Sequence, residues 1–302
     1  MNKLIRSFFY SNIFLGFCAV ALCIETNLIN HLSLNVFPFY LLIFFCPVIY
    51  YTRIYIKSVR TKNFNERTVW YSQNLKAIKV FLKVAVVLIA VLFVLLIAVN
   101  QSRLSMLSPL QLLLIVAFPL AAAWYTFTPT AFRIIKIRQI GWVKPFIVGL
   151  TWAGWVTIYP VIIWEVQRNQ PISAPVTSLA LLCLQNFLFF SINAIVFDIK
   201  DFRTDSYHQL KTYPVVFGVR NTFRYIISPL IILNLVVFFL FQSYHTFSIL
   251  QILIQLIPYI LLVFILLNYK NGRSVLYYLV AVDGLVFLKG FCGITSILLI
   301  KK

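Results

Sequence analysis

Acidic residues are the scarcest feature of this chain. Seven Asp and Glu stand among 302 residues, and charged residues of either sign make up 11%, about half the usual share of a soluble domain. With 62% apolar residues, a water-soluble fold of this length could not enclose its own apolar surface. The five cysteines (Cys18, Cys23, Cys46, Cys183, Cys292) all lie inside apolar runs without a CxxC or Cys/His spacing. That excludes a disulfide scaffold and a zinc module, and the cysteines read as small buried hydrophobes. The three histidines (His31, His208, His245) are scattered, and only His208 is near the aspartates.

What is abundant is apolar sequence in long blocks. A bilayer core of about 30 Å needs roughly 20 apolar residues per helix. Nine runs meet that length, at about 12–30, 33–51, 78–99, 105–125, 142–164, 175–197, 223–243, 246–267 and 274–299. None alternates with period two, which excludes a β-barrel. The expected fold is therefore all-α, a polytopic membrane bundle of nine transmembrane helices. The first run follows Lys3 and Arg6 but has no small-residue cleavage site before Ile29, so it is expected to remain as a helix.

The 26 Lys and Arg against 7 acids give a formal charge of +19. Nucleic acid is not the expected partner, because the basic residues fill short gaps between apolar runs rather than one solvated face. Counted in alternate gaps, twenty-one Lys and Arg fall on one side and four on the other. The positive-inside rule makes the rich side cytoplasmic, with the N-terminus in and the C-terminus out. The expected location is the cell (inner) membrane, with membrane lipid as a partner.

So few carboxylates can be read singly. Glu25 and Glu165 sit near the outer ends of their runs and are expected to reach the interface. Glu66 lies among basic residues of the second loop as a solvated partner. Asp198, Asp201 and Asp205 form D-I-K-D-F-R-T-D at the cytoplasmic end of the sixth run. If that helix continues, they fall at 0°, 300° and 340°, within one 60° arc. Like charges on one stripe repel, a cost that makes sense if a divalent cation sits between them. Hard oxygens of this kind suit Mg²⁺, which completes its shell with water and substrate phosphates. Lys200, Arg203 and Lys211 are close enough in sequence to grip the same phosphates. The alternative is a solvated helix end whose acids pair with those cations. Asp283 lies about ten residues into the ninth run, ~15 Å deep, where a carboxylate should face a bundle interior or a wet cavity. Lys289, deeper still, is expected to snorkel outward. Asn186 and Asn193 read as interhelical hydrogen-bonding groups.

The stretch Asn193-Ala-Ile-Val-Phe-Asp198-Ile-Lys-Asp201-Phe-Arg-Thr-Asp205, followed by Lys211-Thr-Tyr-Pro214 and Gly218, resembles the second aspartate-rich motif of the UbiA family of intramembrane prenyltransferases. Trp142-Val-Lys144-Pro145 and Thr151-Trp152 also resemble that family's region between the fourth and fifth helices. The resemblance implies one domain over 1–302 and a nine-helix bundle with its N-terminus inside. It also implies Mg²⁺-dependent transfer of a polyprenyl group from its diphosphate to a lipophilic acceptor, an aromatic compound or quinone precursor. It assigns Asp198, Asp201 and Asp205 to the metal and the chemistry. The family's first motif, an N-D-x-x-D cluster near residues 50–75, has no counterpart: Glu66 is the sole carboxylate between Thr26 and Ile163. Arg53 and Lys57 share a face where that motif would stand. They are either substitutes for a first metal, contacting phosphate, or ordinary positive-inside anchors. The readings that compete with catalysis are a lipid- or quinone-binding protein of the same fold and, third, a secondary transporter using buried acids such as Asp283.

Overall fold

A computed structural model describes residues 3–59, 65–104, 107–126, 141–170, 175–207, 209–268 and 273–299. The structure is 88% helical, with no strand among the described residues. Apart from the single turn Gln101–Leu104, the helices in chain order are α1 (Lys3–Tyr10), α2 (Ile13–Ile29), α3 (Phe37–Val59), α4 (Glu66–Gln73), α5 (Leu75–Val99), α6 (Pro109–Thr126), α7 (Lys144–Arg168) and α8 (Val176–Lys200). They continue as α9 (Phe202–Tyr207), α10 (Tyr213–Phe217), α11 (Val219–His245), α12 (Ile249–Leu267) and α13 (Val275–Leu299). Seven of these (α3, α5, α7, α8, α11, α12, α13) are long and apolar enough to cross a membrane. The α1–α2 pair, bent by 59°, makes an eighth if it is one span, and Pro109–Ala123 within α6 is a shorter apolar helix. The chain is thus a multi-pass helical membrane protein. Arg60, Lys62, Arg133, Lys136, Arg138, His208, Lys270, Lys301 and Lys302 lie outside the described residues.

Three helices contain a wider π turn: Gly154–Ile158 in α7, Phe223–Ile227 in α11 and Leu279–Asp283 in α13. Two have a local cause. Pro160 and Pro229 each follow such a turn by two residues. Proline offers no N–H to the carbonyl four residues back, and its ring crowds that carbonyl. The turn before it widens instead of breaking. In α11 the Ser228 hydroxyl donates to the Phe223 carbonyl at 2.9 Å. The third turn, in α13, ends at Asp283 and has no proline after it.

The chain forms two compact units: 1–106 with 163–170 and 253–302, and 107–162 with 171–252. In the first, α2 packs between α3 and α13, and α3 also meets α4 and α5. Cys18, Leu22, Ile29, Ile43, Val48, Leu285 and Val286 fill its core. Here the sequence expectation for two charges fails. Lys289 does not snorkel and Glu25 does not reach the interface. Lys289 Nζ donates to both Glu25 oxygens at 3.2 Å, and both side chains are almost wholly buried. Within a protein interior, pairing offsets a desolvation cost that neither charge could bear alone. Gly293 makes room for this pair, because a Cβ there would collide with the Glu25 side chain.

In the second unit α8 packs against α7 and α11, and α6 lies on α7. The α8 span is 67% buried, whereas that of α5 in the other unit is 11% buried. The first is a bundle centre, the second a lipid-facing wall. Leu182, Phe189, Ile192, Ile195 and Ile199 of α8 meet a core shared with Val156, Val237, Phe238 and Phe241, and Trp152 stacks on Phe190 with centroids 4.8 Å apart. Between apolar helices in lipid such packing, rather than expulsion of water, holds the helices together.

Candidate active site

The site builds from the end of α8. The stripe expected of three aspartates on one continuing helix does not form. The helix ends at Lys200, Asp201 is its C-terminal cap residue, and Asp205 belongs to the separate helix α9. The chain turns at Asp201 while hydrogen bonds continue, from Asp201 N–H to the Phe197 carbonyl at 3.0 Å and from Asp205 N–H to the Asp201 carbonyl at 2.8 Å. The turn carries Asp205 back to the protein, where it is buried, while Asp201 remains partly exposed.

Asp198 is fully enclosed, and Lys144 at the start of α7 reaches its Oδ1 at 2.5 Å. Gly141 lets this happen: a Cβ there would lie 2.7 Å from the Lys211 and Thr212 backbone, so the turn before Lys144 packs directly on the segment that follows Asp205. The other oxygen, Asp198 Oδ2, is buried with no hydrogen-bond partner among the described residues, and so is Asp205 Oδ2. Burial pushes the Asp205 carboxyl up to about 6; Lys144 opposes this, while the negative charges of Asp198 and Asp201 reinforce it. Lys200 Nζ pairs with Asp201 at 3.0 Å and lies over the Phe197 ring. Arg203 and Lys211 are exposed, without an ion pair among the described residues.

Two buried carboxylate oxygens without partners, beside a lysine, suit a hard cation or a polarised ligand atom. No group of three His, Cys, Asp or Glu is placed to hold a metal among the described residues. Two carboxylates without a third protein ligand would suit Mg²⁺ only in the habit in which water and substrate phosphate complete the shell. They do not fit a closed all-protein cage.

Arg53, Lys57 and Asp283, also singled out from sequence, lie in the first unit. Arg53 and Lys57 are exposed on α3. Asp283 ends the π turn of α13, half-buried, and its backbone carbonyl accepts from the Cys18 thiol at 3.4 Å. The inward groups at this end of α3 are Thr52 and Tyr55. Asn12 Nδ2 donates to Thr52 Oγ1 at 3.2 Å and to the Tyr71 hydroxyl at 3.0 Å. Arg67, which reads as an ordinary loop cation, is buried instead. It donates to the Tyr10 carbonyl at 3.1 and 2.9 Å and to Asn12 Oδ1, and lies 3.9 Å over the Tyr55 ring. Where the aspartates of the resembled first motif would stand, this chain has Asn12, Thr52 and Tyr71 hydrogen-bonded around the guanidinium of Arg67.

Sequence reasoning missed two participants. Lys144 lies in a stretch whose resemblance was noted, but nothing local marks it as the partner of an aspartate 54 residues on. Arg67 carries no signal separating it from its basic neighbours.

No family model and no curated protein matches the sequence. A solved structure matches the fold. The fold is similar to that of digeranylgeranylglyceryl phosphate synthase in membranes. The match has a TM-score of 0.58 at 15% sequence identity and covers 99% of this chain and 100% of the synthase. At that identity the likeness is one of fold.

Proposed function

We propose that this protein is an intramembrane prenyltransferase that moves a polyprenyl group from its diphosphate to a lipophilic acceptor, with Mg²⁺. The observation that carries the reading is the cluster at the end of α8: Asp198 and Asp205, each with a buried oxygen lacking a partner, gathered around Lys144. The similarity of the whole chain to a UbiA-type intramembrane prenyltransferase supports it. Seven long spans, the bent α1–α2 pair and Pro109–Ala123 would together make nine crossings, with the N-terminus and this cluster cytoplasmic by the distribution of Lys and Arg.

In this reading Asp198 and Asp205 would hold Mg²⁺, and its charge would offset the negative charge of a departing diphosphate. Lys144 lies beside the same charge, and Lys200, Arg203 and Lys211 supply further cations around it. The prenyl C–O bond breaks, both electrons leave with the diphosphate, and the acceptor supplies the pair that forms the new bond and then loses a proton. An apolar bundle keeps water from the allylic cation.

A second reading has its own observation. Around Thr52 and Tyr55 a hydrogen-bonded network of Asn12, Arg67 and Tyr71, in place of a carboxylate cluster, favours a protein that binds prenyl lipids or quinones without turnover. Purified protein in nanodiscs, given geranylgeranyl diphosphate, Mg²⁺ and a panel of hydroquinone and glycerol-ether acceptors, separates the two. Pyrophosphate release that depends on acceptor and is abolished in Asp198→Asn is expected. Saturable diphosphate binding without release under every acceptor would replace the transferase with the binder.

A further inference from the structure

One helix of the first unit carries charge on the side turned away from the protein. The three lysines of α5, Lys76, Lys79 and Lys83, are all exposed, and none makes an ion pair among the described residues. Glu66, the carboxylate nearest to them in sequence, accepts instead from the Tyr10 hydroxyl at 3.1 Å. The buried side chains of α5 are Ile78, Ala85 and Leu92. At 100° per residue these lie about 160–200° around the helix from Lys76, whereas the three lysines fall at about 0°, 300° and 340°. The lysines therefore stand opposite the stripe by which α5 is buried.

The same face continues as apolar surface. Val87, Val91 and Val94 share it, at about 20°, 60° and 0°, and are 63%, 50% and 62% exposed. Lysine ladder and valine stripe form one outward face, so these ammonium groups do not belong to a site inside the bundle. From Val84 to Val99 the helix carries no charge, and polar residues follow from Asn100. That uncharged stretch is about 24 Å long, against a bilayer core of about 30 Å. Lys83 thus lies at or inside the edge of the hydrocarbon, with Lys79 and Lys76 about 6 and 10 Å farther out. The headgroup layer is itself about 5–7 Å deep, and a lysine at its inner edge runs its stem outward to set the ammonium among the headgroups. Cations that serve only to orient a chain can stand on any face of a loop. These three keep one face through the depth of the headgroups.

We propose that Lys76, Lys79 and Lys83 form a docking surface for phospholipid of net negative charge, held by its headgroup phosphate while its acyl chains lie along Val87, Val91 and Val94. A zwitterionic headgroup offers the same phosphate together with a cation of its own, which the lysines repel, so the surface selects by net charge. It belongs to the first unit, does not involve the Asp198 cluster, and stands whether or not the protein is a transferase.

Native mass spectrometry of the full chain tests it, with the protein released from mild micelles that contain equimolar phosphatidylglycerol and phosphatidylcholine of the same acyl chains. A lysine near an anionic surface contributes about a fivefold change in affinity. Wild type should therefore retain phosphatidylglycerol in preference by about a hundredfold at low salt, and by less as salt rises. Lys79→Gln and Lys83→Gln should each cut the preference about fivefold. The triple variant K76Q/K79Q/K83Q should show none, while K76R/K79R/K83R keeps it. Orientation should survive in the triple variant, because eighteen Lys and Arg on the rich side still face four. Equal retention of the two lipids by wild type, or a preference unchanged in the triple glutamine variant, overturns the proposal. So does a parallel loss of geranylgeranyl diphosphate binding in Lys79→Gln, which would assign the lysines to the diphosphate. A preference for phosphatidylglycerol in a wild type that binds no geranylgeranyl diphosphate upholds the surface and counts only against the proposed function.

Discussion

Replacing Lys144 with methionine keeps the length and packing of the stem but takes the counter-charge from Asp198, a carboxylate with no exposed surface. Removing one partner of a fully buried pair costs about 3–5 kcal/mol, because the other charge is left in a low dielectric. The Lys144 side chain is 32% exposed, and water that reaches the lysine also screens the pair, so about 2–3 kcal/mol is expected here. Asp198→Asn removes the charge at constant shape and leaves a lysine that can turn to solvent, for about 1 kcal/mol. In the double variant no charge is stranded. Its cost should fall short of the sum of the singles by about 1–2 kcal/mol. Unfolding by denaturing detergent from mild micelles, followed by tryptophan fluorescence, measures all four proteins. The same four, tested for geranylgeranyl diphosphate, should part company with stability: the double variant regains stability and does not regain binding. Additive stabilities would show that Lys144 and Asp198 are not energetically joined, and the electrostatic account of the cluster would fall.

Asp205, pushed up to about 6 by burial, is protonated below that pH and ionised above it. Mg²⁺-dependent diphosphate binding should therefore climb between pH 5 and 7, and Asp205→Asn should flatten the profile. Its raised value also means that the ionised folded state is the costly one, so its contribution to stability declines as pH rises from about 4 through 6. In the first unit, Lys289→Met should cost about 3–5 kcal/mol by stranding Glu25, with Glu25→Gln restoring much of it in the double variant; equal unfolding of Lys289→Met and wild type would show the pair carries no weight. Arg67→Ala removes the donors to the Tyr10 carbonyl and Asn12 and the cation over Tyr55, for about 2–4 kcal/mol, and should raise protease cleavage near Ser11–Asn12. Reporters fused after Asn100, Asn169 and Tyr244 should read outside and those at 205–220 inside; an outward reading at 205–220 would reverse the orientation.

Seven of the nine expected spans were legible because apolar length is a local property: the run expected at 175–197 is α8, Val176–Lys200. The break before α2 was not, since it contains neither proline nor glycine. Asn12 is held in a left-handed conformation, φ 66°, by Arg67, which stands 55 residues away. The same limit hid the fate of Glu25 and Lys289, whose partnership spans 264 residues. A lysine deep in a helix snorkels unless a carboxylate meets it, and no local pattern reports the meeting. The aspartate stripe misled for the opposite reason. Its spacing suited an unbroken helix, but the turn at Asp201 brings Asp205 inward and leaves Asp201 outside, so burial rather than helical phase selects the pair with free oxygens. Two of the three π turns could have been read from Pro160 and Pro229; the third, Leu279–Asp283, has no proline to announce it.

In the proposed function the end of α8 binds a prenyl diphosphate through Mg²⁺ that Asp198 and Asp205 would hold. Equilibrium binding of radiolabelled geranylgeranyl diphosphate to the protein in nanodiscs, titrated with Mg²⁺ and repeated with excess chelator, tests it directly. Saturable binding that needs Mg²⁺ and is lost in Asp198→Asn/Asp205→Asn, with the folded protein recovered in equal yield, is the predicted result; binding that persists unchanged in that double variant, or that ignores the chelator in wild type, would contradict it.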